Sequence, residues 1–263
     1  MINPFKVVIP ARYAATRLPG KPLLEIAGKP LIQHVFESAQ ASQAGQVLIA
    51  TDDTRIKTAA EAFGADVIMT SSEHRSGTDR IAEAVVKIGA PENMVIVNVQ
   101  GDEYGLPPAI INQLAAVLHN NPDKPMATLC ERVSNLDQLK NPGVVKVVVG
   151  GDNSALYFSR SSIPWFEGHE KSTLTDIPLS PFRHIGIYAY RAGFLGTYTS
   201  LPNCQIEECE KLEQLRALYY GYKIHVEEAC TTTGMEVNTP EDLERARQLA
   251  EKQTGLTGKE IKD

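Results

Sequence analysis

Arg12, Arg17 and Lys21 stand within one short stretch, "PARYAATRLPGK", and no carboxylate lies between Val7 and Leu24 to neutralise them. A lone loop arginine ordinarily pairs with an acid elsewhere in the fold. Three long cations without a local partner, with Gly20 permitting close backbone approach, suit a chain of phosphates better than a single carboxylate. The loop is not a P-loop, since G-x-x-x-x-G-K-[ST] is missing and Lys21 is followed by Pro22; nor does a G-x-G-x-x-G open a helix.

Further candidate groups follow. Asp102 and Glu103 come directly after the apolar run "MVIVNV". Carboxylates there, opposite a cationic loop, suit Mg²⁺ held against phosphate oxygens, whereas alone they could equally stabilise the start of a helix at "LPPAIINQL". In "RSGTDR" (Arg75–Arg80), Ser76, Gly77 and Thr78 could read a base edge with Arg80 in support, or Ser76 or Thr78 could simply cap a helix. Helical spacing in "IEECEKLEQLRAL" puts Glu210, Glu213, Gln214 and Ala217 on one face, an arrangement more often a solvated acidic surface. Arg160, Arg183, His184 and Tyr188, in "SRSSIPW" and "FRHIGIY", are candidate ligands for an acidic, polyhydroxylated second substrate.

The elements that must position these groups alternate. Strands are expected at Lys6–Pro10, Gln46–Thr51, Asp66–Met69 and Met94–Val99, and helices at Leu31–Ser42, Thr54–Phe63, Thr78–Ile88 and Pro108–His119. Such alternation means βαβ units and a parallel sheet, and near-continuous Val and Ile ("KVVIP") means strands covered on both faces. After Lys124, "MATLC", "VVKVVV", "ALYFS" and "HIGIYAY" follow without helices, which predicts a mixed or antiparallel extension. Helices return at Glu207–Tyr219 and Thr239–Glu251, around a strand at Ile224–Glu228. Phe166–Pro181 lacks any period and is expected to be a mobile loop over the site. One domain over residues 1–253 is expected, with an inserted subregion at 124–223 and a fraying polar tail at 254–263. In open α/β sheets ligands bind at the carboxyl ends of the strands. The loaded segments "PARYAATRLPGK", "TDD" (Thr51–Asp53), "SSEHRSGTDR" and "QGDE" all fall there.

The chain's 263 residues are 43% hydrophobic and 22% charged, with a net charge of −6, which fits a globular protein and argues against a general nucleic-acid binder. No apolar run is long enough for a membrane span, and no signal-peptide pattern opens the sequence. Cys130, Cys204, Cys209 and Cys230 show no C-x-x-C spacing. They read as free thiols of a reducing cytoplasm.

Taken together, "VVIPARYAATRLPGKPL", "HRSGTDRIAEA", "VNVQGDE", "ALYFSRSSIPW", "RHIGIYAYRAGFL", "KLEQLRALYYGYKIHV" and "NTPEDLERAR" resemble the 3-deoxy-manno-octulosonate (Kdo) cytidylyltransferases, also called CMP-Kdo synthetases, from about Phe5 to Arg247. The resemblance implies a Rossmann-like nucleotidyltransferase fold, a cytoplasmic homodimer, and the conversion of CTP and Kdo to CMP-Kdo and pyrophosphate with Mg²⁺, for lipopolysaccharide synthesis. By position it implies nucleotide contacts at Ala11, Arg12, Arg17, Lys21, Ser76, Gly77, Arg80 and Gln100, with Arg12, Lys21 and Asp102 in catalysis. It implies Asp102 as a metal ligand, and sugar contacts at Arg160, His184, Tyr188, Glu213 and Gln214.

Two stretches depart from the family pattern. "GDEYGLPP" replaces G-D-E-P-L-I-P-P, placing Tyr104 and Gly105 where they could reshape the sugar end of the site. "EVNTPED" replaces G-V-D-T-P-E-D, so Asn238 stands for a metal-binding aspartate, and Glu236 stands for glycine. Asn238 could still offer a carbonyl oxygen, with Glu236 restoring the charge, or it could be a plain helix N-cap. The departures leave room for an amino-substituted Kdo or another sugar acid as acceptor, or for a catalytically weak homologue that only binds nucleotide or sugar.

Overall fold

An apolar run without alternation needs cover on both faces. The first strand, β1 (Phe5–Ala11), has that cover: Val7, Val8 and Ile9 are wholly shielded from solvent. The computed structural model describes residues 4–14, 17–74, 76–167 and 180–257. From β1 the chain passes through a small hairpin, β2 (Glu25–Ile26) and β3 (Lys29–Pro30), into α1 (Leu31–Gln40). It continues as β4 (Gln46–Thr51), α2 (Thr54–Ala62), β5 (Asp66–Met69), α3 (Gly77–Lys87) and β6 (Val95–Asn98). Next come β7 (Glu103–Tyr104), α4 (Pro108–Asn120), β8 (Met126–Arg132), α5 (Leu136–Lys140), β9 (Lys146–Val149), β10 (Ala155–Ser159) and β11 (Phe182–Arg191). The last part holds α6 (Ala192–Ser200), α7 (Gln205–Glu210), α8 (Leu215–Tyr219), β12 (Ile224–Glu228), β13 (Met235–Glu236) and α9 (Pro240–Thr257).

The main sheet runs β10-β9-β11-β6-β1-β4-β5, with β8 joined to β11 and β12 to β8. β6, β1, β4 and β5 are parallel. β11 runs antiparallel to β6, β8 and β9, which makes the expected mixed extension. Successive residues of β1 serve opposite faces. Val7 and Ile9 pack in a layer with Ile32 and Val35 of α1 and Leu114 of α4. Val8 packs in the other layer, with Ile81 and Val85 of α3 and Leu195 of α6.

From β1 the chain moves to β4 and β5 on one side, then returns to β6 on the other. β1 and β6 are neighbours from which the chain leaves in opposite directions, and the crevice beyond their carboxyl ends is where such sheets take ligands. A Cβ at Gly101 would lie 2.9 Å from the Pro10 carbonyl oxygen, so glycine lets the loop after β6 close against the end of β1.

Two expectations need correcting. The helix expected over Glu207–Tyr219 is broken: α7 stops at Glu210, Lys211 takes a left-handed φ of 54°, and α8 begins at Leu215. The break buries Leu212 and Gln214 and turns the intervening Glu213 inward, so three consecutive residues face the interior, which a continuous helix, spreading neighbours around its axis, could not do. The tail is helical as far as Thr257, since α9 outruns its expected end. Most of the expected mobile loop, residues 168–179, lies outside the described residues, as does Arg75.

Candidate active site

The loop after β1 turns on Gly20, whose φ of 70° is left-handed and whose N–H donates to the Tyr13 carbonyl at 3.0 Å. Lys21 then opens a single 3-10 turn, Lys21–Leu23. Its Nζ donates to Asp102 Oδ2 at 2.5 Å and to Asn238 Oδ1 at 3.1 Å, so the missing carboxylate arrives from the loop after β6. Arg12 and Arg17 are exposed, and neither has a hydrogen-bond or ion-pair partner among the described residues. Both, with Ala11 and Lys21, line a cavity of about 310 Å³. Two guanidinium groups without counter-ions among the described residues suit an anion in this cavity.

The same cavity is also lined by His74, Ser76, Gly77, Arg80 and Gln100. Ser76 is the N-cap of α3 in a reciprocal capping box with Asp79. Gly77 leaves room beside Pro10, where a Cβ would touch the ring at 3.4 Å. Gln100 donates from Nε2 to Asn98 Oδ1 at 3.1 Å, which directs its own carbonyl oxygen to other donors. Arg80 is 3% exposed; it donates to the Thr70 hydroxyl and, at 2.9 Å, to Asp52 Oδ2. The "TDD" segment therefore acts at one remove: Asp52 orients Arg80, and Asp53 caps α2 and grips Arg55 at 2.6 Å.

A second cavity, of about 930 Å³, shares Arg17, Gln100 and Asn238 with the first. His184, Tyr188, Glu213 and Gln214 all line it. His184 Nε2 lies 2.9 Å from the Thr128 hydroxyl, and burial, helped by Arg183, lowers its pKa to about 3. The Tyr188 hydroxyl and Glu213 Oε1 are buried without a hydrogen-bond partner among the described residues. Such orphans in a cavity wall are suited to a polyhydroxylated ligand. Burial raises the Glu213 carboxyl, against the hydroxyl of Thr78 and the charge of Arg216.

Arg160 lines neither cavity. Its Nε donates to the Glu210 carbonyl at 2.8 Å and its Nη1 to the Pro142 carbonyl at 3.0 Å, while Glu210 also takes the Ser159 hydroxyl at 2.6 Å. The supposed face of Glu210, Glu213 and Gln214 is thus divided: Glu210 is a brace, and the other two belong to the cavity. Thr78, a candidate base reader or cap, and Glu103, a candidate metal-side acid, line the larger cavity rather than the smaller one. Asn98 lines it too and was given no role from sequence, because it sits inside a strand pattern where it reads as an ordinary element residue.

The Cytidylyltransferase family model matches residues 6–224. A 3-deoxy-manno-octulosonate cytidylyltransferase of Idiomarina loihiensis is 52% identical, over 94% of this chain and 98% of its own. The chain belongs to the 3-deoxy-manno-octulosonate cytidylyltransferases. The enzyme of that name from Pseudomonas syringae pv. tomato is 50% identical over 95% of this chain and 100% of its own. Among solved structures, a CMP:2-keto-3-deoxy-manno-octonic acid synthetase complexed with CTP is similar at a TM-score of 0.87 and 42% identity, covering 95% of this chain and 100% of that one. A putative glucose-1-phosphate thymidylyltransferase from Bacillus anthracis, 17% identical with a TM-score of 0.61 over 94% of this chain and 95% of its own, shares the fold alone.

Within this cytidylyltransferase framework the two departures have physical explanations. Tyr104 and Gly105 line neither cavity, so any effect on the sugar end passes through the β7–β13 pairing. Tyr104 is 8% exposed, with its ring edge-on to His34 at 5.2 Å, and Gly105 takes a φ of 72°. Asn238 is not the cap of α9; that role belongs to Thr239, whose N–H and hydroxyl donate to Asp242 Oδ2 at 2.9 and 3.0 Å. Asn238 instead bridges, donating from Nδ2 to Glu236 Oε2 at 2.7 Å while its Oδ1 accepts from Lys21.

β7 and β13 pair antiparallel and set Glu103 opposite Glu236. Burial, then the charges of Glu236 and Asp102, raises Glu103 to about 8. Burial and Asp102 also raise Glu236, against the hydrogen bond from Asn238. No group of three or more His, Cys, Asp or Glu side chains is arranged as a metal cage among the described residues. The donors that converge on the Lys21 ammonium are nevertheless oxygens from Asp102 and Asn238, with Glu236 behind them. A hard divalent cation accepts that donor set.

Proposed function

We propose that the chain transfers CMP from CTP to 3-deoxy-manno-octulosonate, giving CMP-Kdo and pyrophosphate for lipopolysaccharide synthesis. The observation that carries this reading is the pair of cavities joined through Arg17, Gln100 and Asn238: one lined by Arg12, Arg17 and Lys21, the other with hydroxyl and carboxyl groups in its wall that have no partner among the described residues. Arg12, Arg17 and Lys21 hold the triphosphate, beside the Ala11 backbone. Ser76, Gly77, Arg80 and Gln100 frame the nucleoside. His184, Tyr188, Glu213 and Gln214 receive the sugar acid, and Arg160 supports them through its grip on residues 142 and 210. Asp102, Asn238 and Glu236 would hold Mg²⁺, which supplies charge neutralisation at the phosphates.

The anomeric hydroxyl oxygen attacks the α-phosphorus in line and gives up its proton to solvent, the bond to the bridging oxygen breaks, and pyrophosphate leaves. The residues act by placing the two substrates and neutralising charge; no covalent enzyme intermediate is required. We place the reaction in the cytoplasm and in a homodimer. No described helix is long and apolar enough to cross a membrane, and exposed Leu156 and Trp165 offer apolar surface for a second copy.

The test is Mg²⁺-dependent pyrophosphate release from each of the four NTPs with Kdo, alongside a no-sugar control. Release with CTP and Kdo together is the expected result; none with any NTP would reject the reading. A second acceptor, an amino-substituted Kdo, is favoured by one feature: Glu103, Glu213 and Glu236 all line the sugar cavity, where an ammonium group would offset their crowding. Comparing kcat/KM for the two sugars decides between them.

A further inference from the structure

Lys146 lines neither cavity, yet its side chain is wholly buried at the start of β9. Its Nζ donates to three backbone carbonyls: Asn141 at 3.0 Å, Val144 at 2.6 Å and Arg160 at 2.5 Å. Three donated bonds need three protons, so the group is an ammonium with its donors all engaged. Burial lowers its pKa, against the attraction of the Glu210 carboxylate. A charge is costly to bury, and this one bonds to neutral oxygens rather than to an acid. What it holds must account for it.

Two of the three carbonyls belong to one turn, between α5 and β9. Asn141 shapes that turn from within: its carbonyl accepts from the Val144 N–H at 3.1 Å and its Oδ1 from the Gly143 N–H at 2.7 Å. Pro142, the next residue, presents its carbonyl to Arg160 Nη1 at 3.0 Å. Lys146 and Arg160 thus pin three carbonyls of the turn, and Lys146 ties it to the end of β10 through the Arg160 carbonyl. The turn is also a cavity wall. Asn141, Gly143, Val144 and Val145 line the larger cavity, and the Val145 carbonyl accepts from the His184 N–H at 2.8 Å. Strand register sets Lys146 beside Ser159 of β10 and Arg183 of β11. The ammonium therefore sits between the strand that leads to Arg160 and the strand that carries His184.

We infer that Lys146 is a positioning residue for the sugar acid: its ammonium fixes residues 141–145 against the end of β10, and so sets the affinity of the larger cavity for its acceptor. The inference rests on the reading of that cavity as the sugar site. Lys146 acts through the turn and touches no substrate.

The experiment measures kcat, KM for CTP and KM for Kdo in wild type, Lys146→Met, Lys146→Gln and Ile56→Val. Methionine keeps the length of the side chain and removes every donor, whereas glutamine keeps two N–H groups on a shorter arm. Ile56, wholly buried in α2 and outside both cavities, controls for a general loss of stability. Lys146→Met should raise KM for Kdo by about tenfold or more, with KM for CTP within about twofold of wild type, and Lys146→Gln should fall between. Amide exchange at residues 143 and 144, whose N–H groups bond to Asn141, should quicken in the same two variants. An unchanged KM for Kdo in Lys146→Met overturns the inference. So does a parallel rise in both KM values, or an equal rise for Kdo in Ile56→Val, since either marks a fold merely loosened. If Lys146→Met does not fold, Lys146→Gln decides on the same criteria. Wild-type turnover of CTP with Kdo keeps the functional reading in place whichever way Lys146 falls. A wild type that neither binds nor uses a sugar acid overturns reading and inference together.

Discussion

Asn238 holds two neighbours that a carboxylate could not hold together. Its amide nitrogen donates to Glu236 and its oxygen accepts from Lys21, so one neutral side chain joins an acid to a cation. Asn238→Asp would replace the donor by a second carboxylate, 2.7 Å from Glu236 in the wild-type geometry. The loss of a charge-assisted bond of this kind costs on the order of 1–3 kcal/mol. The variant should therefore melt several degrees lower in metal-free buffer and recover on adding Mg²⁺, with tighter Mn²⁺ binding by titration calorimetry. An unchanged metal-free melting temperature would show that the bridge contributes nothing. A large rise in activity would show that the native metal site is impaired rather than rebuilt around Glu236. Tyr188→Phe makes the opposite case. Its hydroxyl is buried and unpartnered, so removing it should leave stability unchanged or slightly raised, while KM for the sugar rises and KM for CTP does not.

At the scale of elements, legibility followed the length of the apolar pattern. Gln46–Thr51, Asp66–Met69 and Ile224–Glu228 have the bounds expected of them, because each encloses an apolar or alternating pattern bounded by polar residues. The pairing of β7 with β13 is two residues on each side and has no period to read, yet it sets Glu103 against Glu236. The turn at Lys211 was illegible for a different reason: tertiary burial of Leu212 and Gln214 overrides a sequence of good helix formers. The cationic loop was legible because charge without local compensation is a sequence property, whereas the partner that answers Lys21 depends on the fold. β7 and β13 also depend on Gly234, where a Cβ would meet the Tyr104 carbonyl oxygen at 2.2 Å. Gly234→Ala should separate the two strands, lowering both melting temperature and activity. Gly105→Ala meets no atom within 4 Å but sits at a φ of 72°, and should cost only about 1 kcal/mol. Equal effects of the two substitutions would mean that the β7–β13 pairing does not organise the acids.

For the whole molecule, two buried groups of opposite sign shape the dependence of stability on pH. Glu103 titrates near 8 in the folded chain and near 4.5 when unfolded, so its contribution is fully present below about 4.5 and is lost as pH rises toward 8. His184 behaves in the other direction. Thr128 donates to the Ile187 carbonyl at 2.7 Å, which leaves its oxygen to accept from His184 Nε2 and keeps the ring neutral in the cavity wall. Folded, His184 titrates near 3, against 6.5 for the free side chain, so its contribution is present above 6.5 and is lost as pH falls toward 3. Melting temperature in metal-free buffer should therefore fall on both sides of a maximum at mildly acidic pH. Glu103→Gln should flatten the alkaline limb and leave the acid limb in place. His184→Gln should soften the acid limb, where Glu83 and Asp152, both held low by lysine partners, still contribute below about 4. An alkaline limb that survives Glu103→Gln would place the cause elsewhere and remove Glu103 as the proton-holding group of the paired acids.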